Sequence, residues 1–518
     1  MSAITVNSSL VGAGAPAPRR GKSINPGVGI TLALVIGGLP AVAVALLALT
    51  GSKNTAWFLA LAGLTLALNL AIVLTDVRFG LALFIACAGM SPKLPGIYDN
   101  LRIEDLIFVM VFAVWVGRTV QGGQLPSIRA PFLIPFAALA LISILSSMYG
   151  LTLGYIPDWK YAIFLQLKRL EYLIIFFVVA TSVKDEQWLR ALCVLFVVSG
   201  AIASGYGLAN QESSYDQSVA DTRVSGPKGE NHNTLAGYLV ICIGAGLALL
   251  PEIKASIPRL LLIGATGISG AALLLSFSRE GYIMLMGSLI VFGFTKHRVI
   301  LLGAVVALVA AGMFAAPIRD NVTNTARTIQ TAKHDDPGSN SLTARLRGWE
   351  WRLNTKFWKE PVFGCGVGST MLSVDNEYVL RLCEVGTVGF AVFLWFLASV
   401  GDMLRRLMRA PGLVGCLALG ASAGFVGMLI QGMAATSFNT IRTMEPFWFL
   451  LGLMYTALLI RRRQRAAELA AAAEAAAAAP TRRPTPMSAV PPRAAPTRSH
   501  PGRANPGSRH RPRVKSTI

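Results

Sequence analysis

The sequence predicts an all-α, polytopic transmembrane bundle, and three observations carry that prediction. Hydrophobic residues make up 53% of the chain and charged residues only 14%, values that describe neither a water-soluble domain nor a disordered chain. Apolar runs long enough to cross ~30 Å of hydrocarbon at 1.5 Å per residue recur along the chain, separated by short joints rich in Gly, Pro, Lys and Arg. Alternating strand patterns of about ten residues are absent, which leaves the helical bundle as the structure that satisfies its backbone in lipid.

The runs place spans at 28–50, 56–75, 79–91, 105–117, 131–150, 170–183, 189–209, 234–250, 259–277, 281–294, 299–316, 386–400, 413–433 and 444–460. Those at 79–91, 170–183 and 281–294 are short and fit a tilted or re-entrant pair as well as a crossing, so about twelve to fourteen spans are expected. The first run, Val28 to Thr50, is too long for a secretory core and has no obvious cleavage site, so it is read as a retained anchor.

Charge sets the orientation. Residues 461–518 carry thirteen Arg or Lys against Glu468 and Glu474, and residues 1–28 carry Arg19, Arg20 and Lys22 with no acid, so much of the formal charge of +21 sits at the two ends. The positive-inside rule puts both ends in the cytoplasm, and the same alternation places Arg118, Lys184, Lys254, Lys296 and the Arg405–Arg406–Arg409 group on that side. Nucleic-acid binding would require basic residues interleaved with aromatics, and the tail from Arg461 has no aromatic residue.

The expected organisation is therefore a cytoplasmic segment (1–27), a first part of the bundle (28–316), a long outer loop (317–385), the last helices (386–460) and a basic tail (461–518). The tail begins with an Ala-rich run that favours helix and passes, from about Pro480, into a Pro, Arg and Ser composition that cannot bury a core. In the outer loop, Leu342 to Trp358 reads as an amphipathic helix. Of the six cysteines, Cys365 and Cys383 alone fall in the outer loop; each occupies an apolar slot, and free thiols are the favoured reading over a disulfide.

The residues able to carry chemistry gather outside. An outer loop at 210–233 holds Arg223, His232 and Asn233, and a short turn holds Ser278, Arg279 and Glu280. The long loop holds Arg345, Arg347 and Trp349, then Gly364, Gly366 and Gly368, then Asp375–Asn376–Glu377–Tyr378, then Glu384. An ionisable side chain at a helix end in a bundle is expensive to bury and is a functional candidate by default, although Arg279 also suits interface snorkelling and Arg345 a solvated helix face. The glycine run fits an ordinary tight turn or a set of backbone N–H groups facing a phosphate. Asp375 fits either a general base or a helix cap, and His232 and His334 read as ordinary loop histidines.

The order of these motifs resembles the O-antigen ligase and O-antigen polymerase superfamily over about residues 200–400: Arg223 with Asn233-Thr-Leu-Ala, Ser278-Arg-Glu-Gly, Arg345…Trp349, Pro361-Val-Phe-Gly-x-Gly-x-Gly, Asp375-Asn-Glu-Tyr and Glu384-Val-Gly. The resemblance implies a bacterial inner-membrane glycosyltransferase that moves a glycan from an undecaprenyl diphosphate donor to an acceptor glycan on the periplasmic face. It implies no metal and no other cofactor, membrane lipids as surroundings, and a chain-length regulator or flippase as candidate partners. Arg223 and Arg279 correspond to the family's loop arginines and Arg345 to the one before Trp349, all three of which would meet the leaving diphosphate, and Asp375 stands at its acceptor-side position. Arg345, Arg347, Asn233, Ser278, Glu280, Gly364, Gly366, Asn376, Glu377, Tyr378 and Glu384 form the wider binding set. Ligases of the superfamily typically place His before Asn where this chain has Asp375–Asn376, and that departure favours a polymerase of surface-polysaccharide repeat units over a ligase to lipid A core. A transporter or flippase is the reading from another class, and it is disfavoured because the unusual residues gather at one face.

Overall fold

The computed structural model describes residues 67–91, 102–122, 128–210, 223–227, 231–295, 299, 302–303, 341–370 and 375–478. Within them the chain is helical: α1 (Val77–Ala88), α2 (Ile103–Gln121), α3 (Leu133–Thr152), α4 (Trp159–Ser182), α5 (Glu186–Ala209), α6 (His232–Leu249), α7 (Ser256–Leu275), α8 (Arg279–Gly293), α9 (Ser341–Arg352), α10 (Glu377–Leu407), α11 (Leu413–Gln431) and α12 (Ile441–Ala478). The chain is an all-α polytopic membrane bundle. Seven of the described helices, α3, α5, α6, α7, α10, α11 and α12, are long and apolar enough to cross a membrane, and α1 is a shorter apolar helix. The expected spans 28–50 and, for the most part, 56–75 and 299–316 lie outside the described residues, as does most of the loop at 210–233. Residues 1–463 form one compact unit and Gln464–Ile518 a second, of which the described part is the exposed end of α12.

Two helices depart from the expected spans for physical reasons. The run at 170–183 belongs to α4, which starts at Trp159 because Asp158 caps it, accepting from the N–H groups of Lys160 and Tyr161. Its charged turn, Lys168 to Glu171, is kept inside the bundle by ion pairs rather than excluded from it. The run at 386–400 is part of α10, which begins nine residues earlier at Glu377 and breaks at Gly386 (φ 65°, ψ −170°). A side chain there would be strained by the positive φ and would meet the Val362 carbonyl oxygen at 2.3 Å.

Small residues set the closest helix pairs. α11 packs along α6 and α8, and α7 along α5. A Cβ at Gly420 of α11 would lie 2.8 Å from the Ala245 Cα of α6, so the two backbones touch, as expected where packing rather than water drives association. The centre holds Trp448 of α12, with Phe132 and Phe136 edge-on at 5.5 and 5.4 Å and Phe396 of α10 stacked at 6.2 Å. Each such pair adds about 0.5–1.5 kcal/mol beyond the area it buries. The outward sides of α3 and α7 expose Ile134, Leu141, Leu145, Ile257, Leu260 and Ile263, apolar surface that suits lipid.

Candidate functional site

One end of the bundle collects the joints that the sequence marked as outer. The 223–227 segment reaches it through the Val224 N–H, which donates to the Leu275 carbonyl at the end of α7 (3.2 Å). Ser278 then caps α8: its hydroxyl accepts from the Gly281 N–H (3.0 Å) and donates to Asn233 Oδ1 at the start of α6 (2.7 Å). Gln431 at the end of α11 donates to the Asn233 carbonyl (3.4 Å), so α6, α8 and α11 end together. Asn233 and Ser278 thus hold the frame, with Ser278 fully buried.

The arginines divide by what they touch. Arg279 is exposed at the first position of α8, and Arg347 is exposed on α9; neither has an ion pair or hydrogen bond to a side chain among the described residues. Arg223 is half-buried and meets His232 Nε2 at 3.3 Å, while its Nε is buried without a partner. Arg345 is engaged: it pairs with Glu280 (2.8 Å), approaches Asp375 (3.6 Å) and donates to the Ala434 carbonyl (3.3 Å). It thereby ties α9 to α8 and to the turn between α11 and α12. The N-terminal end of α8, with its partial positive charge and exposed Arg279 at its first position, is an electropositive edge suited to an anion.

Asp375 is not the helix cap. Asn376 fills that role for α10, its Oδ1 accepting from the Tyr378 and Val379 N–H groups (2.9 and 3.1 Å) while its Nδ2 donates to the Met433 carbonyl. Asp375 stands one residue before, its side chain 46% exposed beside Arg345. Glu377 is fully buried, paired with Arg381 and accepting from the Phe438 N–H (3.2 Å). The Tyr378 hydroxyl donates to the Leu429 carbonyl (2.7 Å).

The glycine run is a packed turn. Gly364, Gly366 and Gly368 all have positive φ, which allows the chain to fold against α3 and the α10 break. Its N–H groups each have a protein acceptor: Gly364 donates to Glu360 O, Cys365 to Cys383 O, Gly366 to Glu384 O, Val367 to Ser147 Oγ and Gly368 to the Glu384 carboxylate (2.9 Å). Cys365 and Cys383 are buried free thiols, and burial pushes the Cys365 thiol above its ordinary range. The helix expected at 342–358 forms as α9 followed by a π turn, Leu353–Phe357, and its Trp349, Leu353 and Phe357 pack on Val379, Leu380 and Cys383 of α10.

Residues 264–394 match the O-antigen ligase family model. The match supports a place in the O-antigen ligase and polymerase superfamily, and the matched segment contains Arg279, Glu280, Arg345, Arg347, the glycine turn, Asp375 and Glu384. No curated protein matches the chain. The match supports an activity of the O-antigen ligase or polymerase type in a multi-pass membrane protein.

Around Glu384 lie charged residues that the sequence motifs did not mark: Arg169, Arg381, Lys168, Asp105, Glu171 and Glu445. Glu384, buried on α10, pairs with Arg169 of α4 (3.4 Å) and with Arg381 (4.0 Å). Asn439 accepts from both arginines (3.4 and 2.8 Å). One residue along α4, the Lys168 ammonium contacts Asp105, Glu171 (2.8 Å) and Glu445 (3.2 Å). Those three carboxylates converge closely enough to hold a cation, and the lysine stands among them as that cation. The available signal was the density of charge at the edges of apolar runs: Lys168, Arg169 and Glu171 cluster at the start of the run at 170–183, and Arg442 and Glu445 at the start of the run at 444–460.

Proposed function

We propose that the protein is a membrane glycosyltransferase that polymerises undecaprenyl-diphosphate-linked repeat units of a surface polysaccharide at the periplasmic face of the inner membrane. The observation that carries this reading is the pairing, at one end of the bundle, of an electropositive edge with a half-exposed carboxylate. Arg279 and Arg347 are exposed and without side-chain partners among the described residues, and Asp375, relieved of capping by Asn376, stands beside Arg345.

In this reading the donor diphosphate lies along the edge formed by Arg279, Arg347 and Arg223. Planar guanidinium groups meet phosphate oxygens in a forked geometry and stabilise the charge that grows on the leaving diphosphate as the bond between the anomeric carbon and the phosphate oxygen breaks. Asp375 accepts the proton of the acceptor hydroxyl as that oxygen attacks the anomeric carbon. Arg345 holds α9 over the site and keeps Asp375 near the edge. The buried pairs of Glu384 and Glu377 support this surface from below.

Purified protein supplied with a lipid-linked repeat unit and analysed by gel for chain length tests the reading. Elongation of the glycan is the expected result. Transfer to lipid A core instead would make the protein a ligase, and intact donor appearing in the opposite leaflet would make it a flippase.

A further inference from the structure

At the end of the bundle away from the candidate site, a cleft of ≈ 630 Å³ opens between α1, α2, α4 and α12. Three cations line it, Arg118, Lys184 and Arg463, against one acid, Asp76, so the lining is net positive. The acid is already taken. Asp76 caps α1 and forms an ion pair with Arg78 at 2.6 Å. Arg118 is held in place by donating one nitrogen to the carbonyls of Leu74 and Thr75 (2.8 and 3.1 Å), which fixes the guanidinium while leaving its other N–H groups over. Lys184 and Arg463 have no acceptor among the described residues. The Ser182 hydroxyl on the same wall is buried without a partner.

The depth of the cleft identifies its surroundings. Along α12, Arg463 lies eighteen residues beyond Glu445 of the buried cluster, a rise of about 27 Å. That rise is close to the hydrocarbon thickness of ~30 Å, which suits a cleft in the headgroup region opposite the candidate site. Apolar Leu74 and Val120, both exposed, flank it. A phosphate-bearing anion with hydrocarbon attached fits cations and apolar surface arranged in this way.

We propose that this cleft is a binding site for the headgroup of an anionic phospholipid, with Lys184 and Arg463 reaching the phosphate and Arg118 forming the fixed back wall. The site is independent of the glycosyl-transfer reading, because no residue is shared between the two ends.

Full-length protein in micelles containing equal amounts of phosphatidylglycerol and phosphatidylcholine, examined by native mass spectrometry, tests the proposal. The wild type retains phosphatidylglycerol in preference. Each surface cation contributes about fivefold, so the Lys184→Gln/Arg463→Gln double variant should lower phosphatidylglycerol retention roughly twenty-fivefold with phosphatidylcholine unchanged. Lys184→Glu alone, at an exposed position, should move retention in the same direction without disturbing the fold. Wild-type retention in both variants overturns the site. Displacement of the lipid by millimolar inorganic phosphate overturns the lipid assignment and makes the occupant a free anion.

Discussion

Replacing Asp375 by Asn separates chemistry from architecture, because the structure assigns the two roles to adjacent residues. The stability term is small. Asp375 contributes one ion pair, to Arg345 at 3.6 Å, with side chains 29% and 46% exposed; pairs of that exposure are worth about 0.2–1 kcal/mol, and this long one belongs at the lower end. The cap is untouched, since Asn376 supplies it. Asp375→Asn should therefore melt within a degree or two of wild type and express normally. As the general base, however, its loss should reduce polymerisation by about 10²–10⁴-fold. Asn376→Ala makes the opposite pattern: loss of a cap costs about 0.5–2 kcal/mol, and the bond to the Met433 carbonyl goes with it, so stability falls measurably. Initial rates of chain growth from a purified lipid-linked repeat unit, beside thermal unfolding of the same preparations, give both quantities. A wild-type rate in Asp375→Asn would refute the assignment.

Orientation is tested in a cysteine-free background: Gly348→Cys should react with a membrane-impermeant thiol reagent in intact spheroplasts and Ser256→Cys should not, and the reverse pattern would remove the site from the periplasm. Arg381 is 3% exposed and paired with Glu377, so Arg381→Met should destabilise by about 3–5 kcal/mol in thermal unfolding by leaving the buried Glu377 carboxylate without its cation, while Glu384 keeps Arg169; a shift of less than 1 kcal/mol would show that the pair is not structural. Truncation after residue 480 removes a composition that supports solvation and lipid attraction but no packed core, and polymer length on a gel should be unchanged at equal protein abundance.

Much of the bundle was legible because membrane helices announce themselves by length and apolarity. The runs at 131–150, 189–209 and 413–433 became α3, α5 and α11 within a few residues at either end. Legibility failed where charge entered a helix. α4 was read as a short run from 170 because Lys168, Arg169 and Glu171 interrupt its hydropathy, yet tertiary partners on α2, α10 and α12 absorb those charges. The candidate site shows the same division. Motif order located Arg279, Arg345 and Asp375 at one end, but a sequence cannot reveal that Asn376 is the cap, or that every N–H of the glycine turn from Gly364 to Gly368 already has an acceptor within the protein.

The Glu384 carboxylate makes the outer loop inseparable from the bundle. It accepts the Gly368 N–H from above and pairs with Arg169 of α4 from the side, while Asn439 before α12 braces the same arginine. A chimera that exchanged only residues 341–376 with those of a related protein would set a foreign turn on a buried acid shaped for this one. Exchange of substrate preference between such proteins would have to carry the glycine turn, Glu384, Arg169 and Asn439 together, so the unit of inheritance for this surface joins two helices and two turns and cuts across the boundary between loop and bundle.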